Sequence, residues 1–139
     1  MRTPRIFATA AVLTLATMLW ATSAFAQSQP LRANIPFDFY VAGKLLPAGA
    51  YTIATIGQGS AIQLWDRNGN SIFAMARDHK PDHSTGSNRL VFHRYGTTNF
   101  LSGIYWEGFT SGRELAPSER EQQLASNGSV PIPVALVLK

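Results

Sequence analysis

Beyond residue 26 the apolar residues of this chain recur at every second position in short runs, and each run is closed by Gly, Pro, Asn or Asp. That period belongs to strands with one buried face, and turn residues so closely spaced leave no room for long helices. Ile35, Phe37, Phe39 and Val41 share one parity, while Asn34, Asp38 and Tyr40 take the other. Pro36 within this run implies an edge position or the start of a strand, because proline donates no ladder hydrogen bond. Ala42-Gly43-Lys44 turns the chain, and Leu46-Pro47-Ala48-Gly49 fits a type I turn with Pro second and Gly fourth. A further strand runs from about Ala50 to Ile56 and is closed by Gly57-Gln58-Gly59-Ser60.

Asn68-Gly69 sits between two apolar runs, and Asn-Gly is the preferred pair for a two-residue type I′ hairpin because both residues tolerate positive φ. Such a loop predicts Ile62 opposite Met75 and Leu64 opposite Phe73 on one face. Trp65 then lies opposite Ile72, and Gln63 opposite Ala74, on the other. Both faces carry apolar groups, so the ribbon is either covered on both sides or leaves Trp65 as an exposed platform. Arg77 to Asn88 reads as a polar loop. A second hairpin joins Arg89–Tyr95 to Asn99–Trp106 through Gly96-Thr97-Thr98, where loops of two or three residues both fit, and Gly108 to Gly112 is another loop. Ser118 and Glu121 form a capping box behind Pro117, which predicts a helix over Glu119–Ser126 ended by Asn127-Gly128. In the tail Val130, Ile132, Val134, Leu136 and Leu138 share a parity and Pro131 and Pro133 the other, again an edge strand or one irregular at its start. Six to seven short strands with one short C-terminal helix predict a mainly all-β fold, an antiparallel β-sandwich or a small, partly open β-barrel.

The first 26 residues read as an address rather than as fold. Arg2 and Arg5 precede the uncharged run Ile6 to Trp20, and Ala24-Phe25-Ala26 supplies the small-x-small pattern of a signal peptidase site, with cleavage before Gln27. As a helix that run spans roughly 22 Å, short of the ~30 Å hydrocarbon core. Extended through Ala26 it just reaches across, so an uncleaved anchor is the alternative. Removing the leader takes Arg2 and Arg5 from the twelve basic residues and leaves ten against eight acidic, a formal charge of +2 on residues 27–139. Those residues are taken as a single antiparallel β domain, periplasmic or secreted, with no transmembrane segment after cleavage. Its basic residues are scattered, whereas binding to phosphates needs them clustered, so nucleic acid is not expected as a partner. Cysteine is absent, which removes disulfides, thiolate metal sites and thiol catalysis, and leaves the apolar core to hold the domain.

The segments Ile35-Pro36-Phe37-Asp38-Phe39, Gly43-Lys44-Leu45-Leu46-Pro47-Ala48-Gly49-Ala50-Tyr51 and Leu90-Val91-Phe92-His93-Arg94-Tyr95-Gly96, with Phe100-Leu101-Ser102 and Gly112-Arg113-Glu114-Leu115, form a recognisable set. Together they resemble a family of small exported bacterial β proteins without a known activity, over about Leu31 to Leu124. The resemblance implies a β fold and export, and no chemistry. The piece Leu46–Tyr51 is also similar to turns in carbohydrate-associated β-sandwich modules.

Few residues point to chemistry. His79, Asp82 and His83 offer a cation three ligands, but Pro81 prevents a helix from aligning the imidazoles, and a solvated loop accounts for them equally. His93 is available as a base and Ser102 and Asp38 as partners, yet no Gly-x-Ser-x-Gly elbow accompanies them. On a plain structural reading Arg94 pairs with Glu107 or Glu114 and His93 hydrogen-bonds locally. No spacing selects a carboxylate pair for glycoside hydrolysis among Asp38, Asp66, Glu107 and Glu114. Gly43-Lys44 and Gly57-x-Gly59 lack the spacing of phosphate loops. Trp65, Tyr95, Tyr105 and Trp106 lie on predicted strands and are the candidate binding residues, because aromatics exposed on a sheet stack on sugar rings or bury partner side chains. The expectation is an exported, non-catalytic domain that needs no cofactor and binds an envelope component, a glycan or a protein. The alternatives are a small hydrolase using His93 or the 79–83 loop, and a structural envelope protein.

Overall fold

The structure, a computed structural model, describes residues 29–80 and 86–139; the leader with its Ala24, Ala26 and Gln27 cleavage signal, and Asp82 and His83, lie outside the described residues. In chain order the elements are β1 (Leu31–Ile35), β2 (Phe39–Val41), β3 (Lys44–Leu46), β4 (Gly49–Ile56), β5 (Ala61–Asp66), β6 (Ser71–His79), β7 (Arg89–Tyr95), β8 (Thr98–Tyr105), β9 (Gly112–Leu115), helix α1 (Glu119–Ser126) and β10 (Ile132–Val137). Among the described residues the fold is mainly β with one short α-helix, and the sheet is open. Its strand order is β1-β4-β5-β6-β9-β8-β2-β3, with β7 joining β8 to β10. All pairings among the described residues are antiparallel except a parallel bridge between Tyr40 and Phe100.

Strands outnumber the expected six or seven for local reasons. Pro36 ends β1, and the chain crosses at Pro36-Phe37-Asp38 from the β4 side to the β8 side, so one alternating run becomes two strands. The parity survives the crossing: Leu31, Ala33, Ile35, Phe39 and Val41 are all buried and Phe37 is half-buried. Ala42 and Gly43, both at positive φ, make the tight turn from β2 into β3. At nine residues, β6 pairs through Ala61↔Met75 to Trp65↔Ser71 with β5 and through Ala76↔Leu115 to His79↔Gly112 with β9, and so carries the sheet from one wall to the other. Arg77 to His79 are therefore strand rather than the start of a polar loop. Opposed Arg77 and Glu114 (2.9 Å), and opposed Asp78 and Arg113, tie this joint with ion pairs.

Between the walls the rings of Phe37, Phe39, Tyr51 and Phe92 meet edge to face, with centroids 5.0–5.6 Å apart. Ile53, Ile62 and Leu64 from one wall and Leu90, Leu101 and Ile104 from the other complete a single core.

Two hairpins show how registers are set. The Asn68-Gly69 turn is a three-residue loop, not the expected two: Gly69 N donates to Asp66 O, Asp66 N donates to Asn70 O, and Gly69 alone in the turn has positive φ. The Asp66 carboxylate decides this by accepting from the backbone N–H groups of Asn68 (2.8 Å) and Asn70 (3.0 Å) and from Asn70 Nδ2 (2.9 Å). Pairing slips by one residue to Ile62↔Ala74 and Leu64↔Ile72, which exchanges the faces. Ile62 and Leu64 turn inward, while Trp65, Phe73 and Met75 turn outward, with Phe73 and Met75 55% and 71% exposed. The second hairpin takes the two-residue loop Gly96-Thr97, with positive φ at Gly96. Ser102 is then an extra residue in β8, opposite the Val91/Phe92 junction, and its hydroxyl donates to Val91 O (3.1 Å).

Helix α1 occupies the expected span. Ser118 Oγ accepts from Glu121 N (3.3 Å), and Ser129 N to Leu124 O with Gly128 N to Ala125 O close the C-terminus in a Schellman motif. Among the described residues the tail strand β10 pairs only with β7 and is an edge, as its prolines require.

Candidate binding groove

The sheet does not close. Among the described residues β1 pairs only with β4 and β10 only with β7, and both strands line a cleft of about 900 Å³. Arg32, Ala33 and Asn34 form one bank and Leu136 to Lys139 the other, while Thr52, Trp65 and the Asp66–Gly69 turn extend the floor over the outer face. Next to it lies a second cavity of about 630 Å³, around which Trp106 Nε1 donates to Gln29 O (3.1 Å) and Leu138 N donates to Asn88 O (2.8 Å). The β1 alternation that buries Leu31, Ala33 and Ile35 turns Arg32 and Asn34 outward to the groove.

Electrostatically the groove is basic. Arg32, Arg67 and Lys139 are exposed around it. Asp66, the acidic residue lining it, stays ionised, because the Asn70 side chain first, then the Asn70, Asn68 and Gly69 amides, hold its carboxyl below the ordinary value; one negative side chain thus stands against the three cations, and the balance remains positive. Burial, then the charges of Asp66 and Asp38, push the Tyr51 phenol up, so it stays a donor to Pro47 O (2.7 Å).

The four aromatic candidates do not share a face. Trp65 is half-buried on the groove floor. Trp106 is 7% exposed and belongs to the core. Tyr95 stands edge-on to Phe100 (5.8 Å) on the opposite wall, and Tyr105 lies under the Arg89 guanidinium (4.7 Å). Only Trp65 meets the groove. Its other lining residues, Arg32, Asn34, Arg67 and Lys139, escaped the sequence reading because nothing local joins the two ends of the chain. The outward parity of Arg32 and Asn34 was the one available signal.

A second polar site lies under α1. Glu121, 5% exposed, receives His93 at 2.7 Å from Nδ1, and Arg120 covers the Tyr40 ring (5.0 Å). His93 thus finds its partner 28 residues away rather than locally. Arg94 pairs with Asn99 Oδ1 (2.7 Å) and lies over Phe37 (5.3 Å), not with Glu107 or Glu114, because the hairpin register puts Asn99 directly opposite it. His79 lies 3.6 Å from Glu114, and no metal-holding group of three or more His, Cys, Asp or Glu occurs among the described residues.

The hydrogen bond to Glu121, reinforced by the charges of Glu121 and Glu114 and only partly offset by burial, raises the His93 pKa above its ordinary 6.5. A raised value means that this pair contributes its full stabilisation below about pH 6.5 and loses it as pH climbs through the folded-state value. The midpoint of thermal unfolding followed from pH 6 to 9 therefore falls more steeply for the native protein than for His93→Gln; equal slopes contradict the assignment.

Comparison with family models, with curated proteins and with solved structures returns no match to this chain.

Proposed function

We propose that this protein is an exported, non-catalytic binding domain, periplasmic or secreted, whose ligand is an envelope component, a glycan or a protein held in the β1/β10 groove. One observation carries the reading: an open seam of about 900 Å³ combines a half-buried tryptophan with three exposed cations and the polar side chains of Asn34 and Thr52. Clefts with an aromatic floor and a few directed polar groups are where proteins hold ligands. Export rests on Arg2, Arg5, the Ile6–Trp20 run and Ala24-Phe25-Ala26, and the resemblance to small exported bacterial proteins agrees with it while supplying no activity. Against the hydrolase alternative stands the Ser102 hydroxyl, which is engaged with a backbone carbonyl in the β8 bulge.

The test is calorimetric titration with three extended probes: an acidic peptide, oligogalacturonate and chitohexaose. At least one binds, and Trp65→Ala weakens it about tenfold or more, or about 1.4 kcal/mol. Binding by none, binding indifferent to Trp65→Ala, or a turnover abolished by His93→Ala overturns the proposal.

A further inference from the structure

Within that reading of the groove, we infer that its occupant is an extended acidic peptide segment that adds a strand to the open edge of β1. A strand that pairs on one side only points every second N–H and C=O away from its neighbour, and such an edge is a template for another extended chain. β1 is such a strand, and its free side opens into the cleft. The opposite bank is a poorer template, because Pro131 and Pro133 remove donors from the approach to and start of β10. Pro30 and Pro36 bracket β1, so the pairing window is the five residues Leu31–Ile35.

Alternation then dictates the side chains. In a strand paired with β1, every second side chain emerges on the outer face beside Arg32 and Asn34, within reach of Arg67, Lys139 and the Trp65 ring. The intervening ones point between Ala33 and the Leu136–Leu138 bank. Acidic residues at the first set and small aliphatic ones at the second satisfy both. A second copy of this chain does not: its β1 would bring another Arg32 to a face where Arg32, Arg67 and Lys139 already outnumber the Asp66 carboxylate.

The probe is a seven-residue peptide of alternating valine and glutamate, titrated into the isotopically labelled protein and followed by amide hydrogen exchange. Alternate β1 amides gain about tenfold or more protection, while a peptide N-methylated on its pairing edge, and one with lysine for glutamate, each bind about tenfold or more weakly. Binding that leaves β1 exchange unchanged, or equal binding of the lysine or N-methylated peptide, overturns the inference. Protection that grows with protein concentration in the absence of peptide overturns it in favour of self-association. If the acidic peptide fails while oligogalacturonate or chitohexaose binds through Trp65, this inference alone falls; if all three fail, so does the proposed function.

Discussion

Phe92→Ala is expected to cost about 3–5 kcal/mol, as large-to-small changes of buried aromatics do. Against a total stability of roughly 5–15 kcal/mol, that leaves the protein marginal or unfolded at 25 °C. The reason is position. Phe92 has no exposed surface and stands edge-on to both Phe37 (5.0 Å) and Phe39 (5.6 Å), and Phe39 in turn meets Tyr51 on the opposite wall. Removing its ring takes away the edge-to-face partner of both Phe37 and Phe39, and with it the support of the ring that reaches the opposite wall. The ring is also clamped by the register shift beside it, so the cavity cannot collapse without moving the Ser102 bulge. Urea unfolding measures the loss. Phe92→Leu, which keeps most of the volume, costs less than half as much, and a cost for Phe92→Ala below about 1 kcal/mol contradicts this placement of the core.

Gly112→Ala is the second large effect. A Cβ at Gly112 would lie 2.6 Å from the Ile104 carbonyl oxygen and 2.3 Å from Tyr105 Cδ1. One of those neighbours is backbone in the strand that β9 pairs with, so it cannot rotate away. Relief requires β9 to move, and β9 is the partner of β6 just where the sheet passes between walls. We expect a loss of about 3 kcal/mol, at the upper end of what overpacking usually costs. Gly86→Ala, where a Cβ meets nothing within 4 Å, is the control and stays within about 0.5 kcal/mol of native. Equal stabilities for the two variants contradict the β8–β9 approach.

Much of the fold was legible because the signals were local. Alternation marked the buried parity of β1 and β2 even though Pro36 divides them between walls. The Ser118–Glu121 cap and Asn127-Gly128 fixed both ends of α1. The failures arose where a side chain two or more residues away outweighed the local preference. Asn68-Gly69 favours a two-residue turn in isolation, but three hydrogen bonds to the Asp66 carboxylate select the longer one, and that single step moved Phe73 and Met75 to the surface. The Ser102 bulge likewise decides which β8 residues face inward, and no spacing announced it.

The groove was the least legible part. It exists because the two ends of the described chain, β1 and β10, come to lie side by side without pairing, a relation that depends on every strand between them. Trp65 was visible as a candidate because its ribbon carries apolar groups on both faces, one of which had to be covered or exposed. The cations that give the groove its sign were visible only as scattered charge.

Amide hydrogen exchange of the free protein at β1 tests the open seam most directly. Residues of Leu31–Ile35 whose N–H groups face β4 exchange slowly, and the alternate ones that face the groove exchange at rates close to those of an unfolded chain. Uniform protection along all five, at a concentration where the protein is monomeric, means that the edge is already paired and the groove closed.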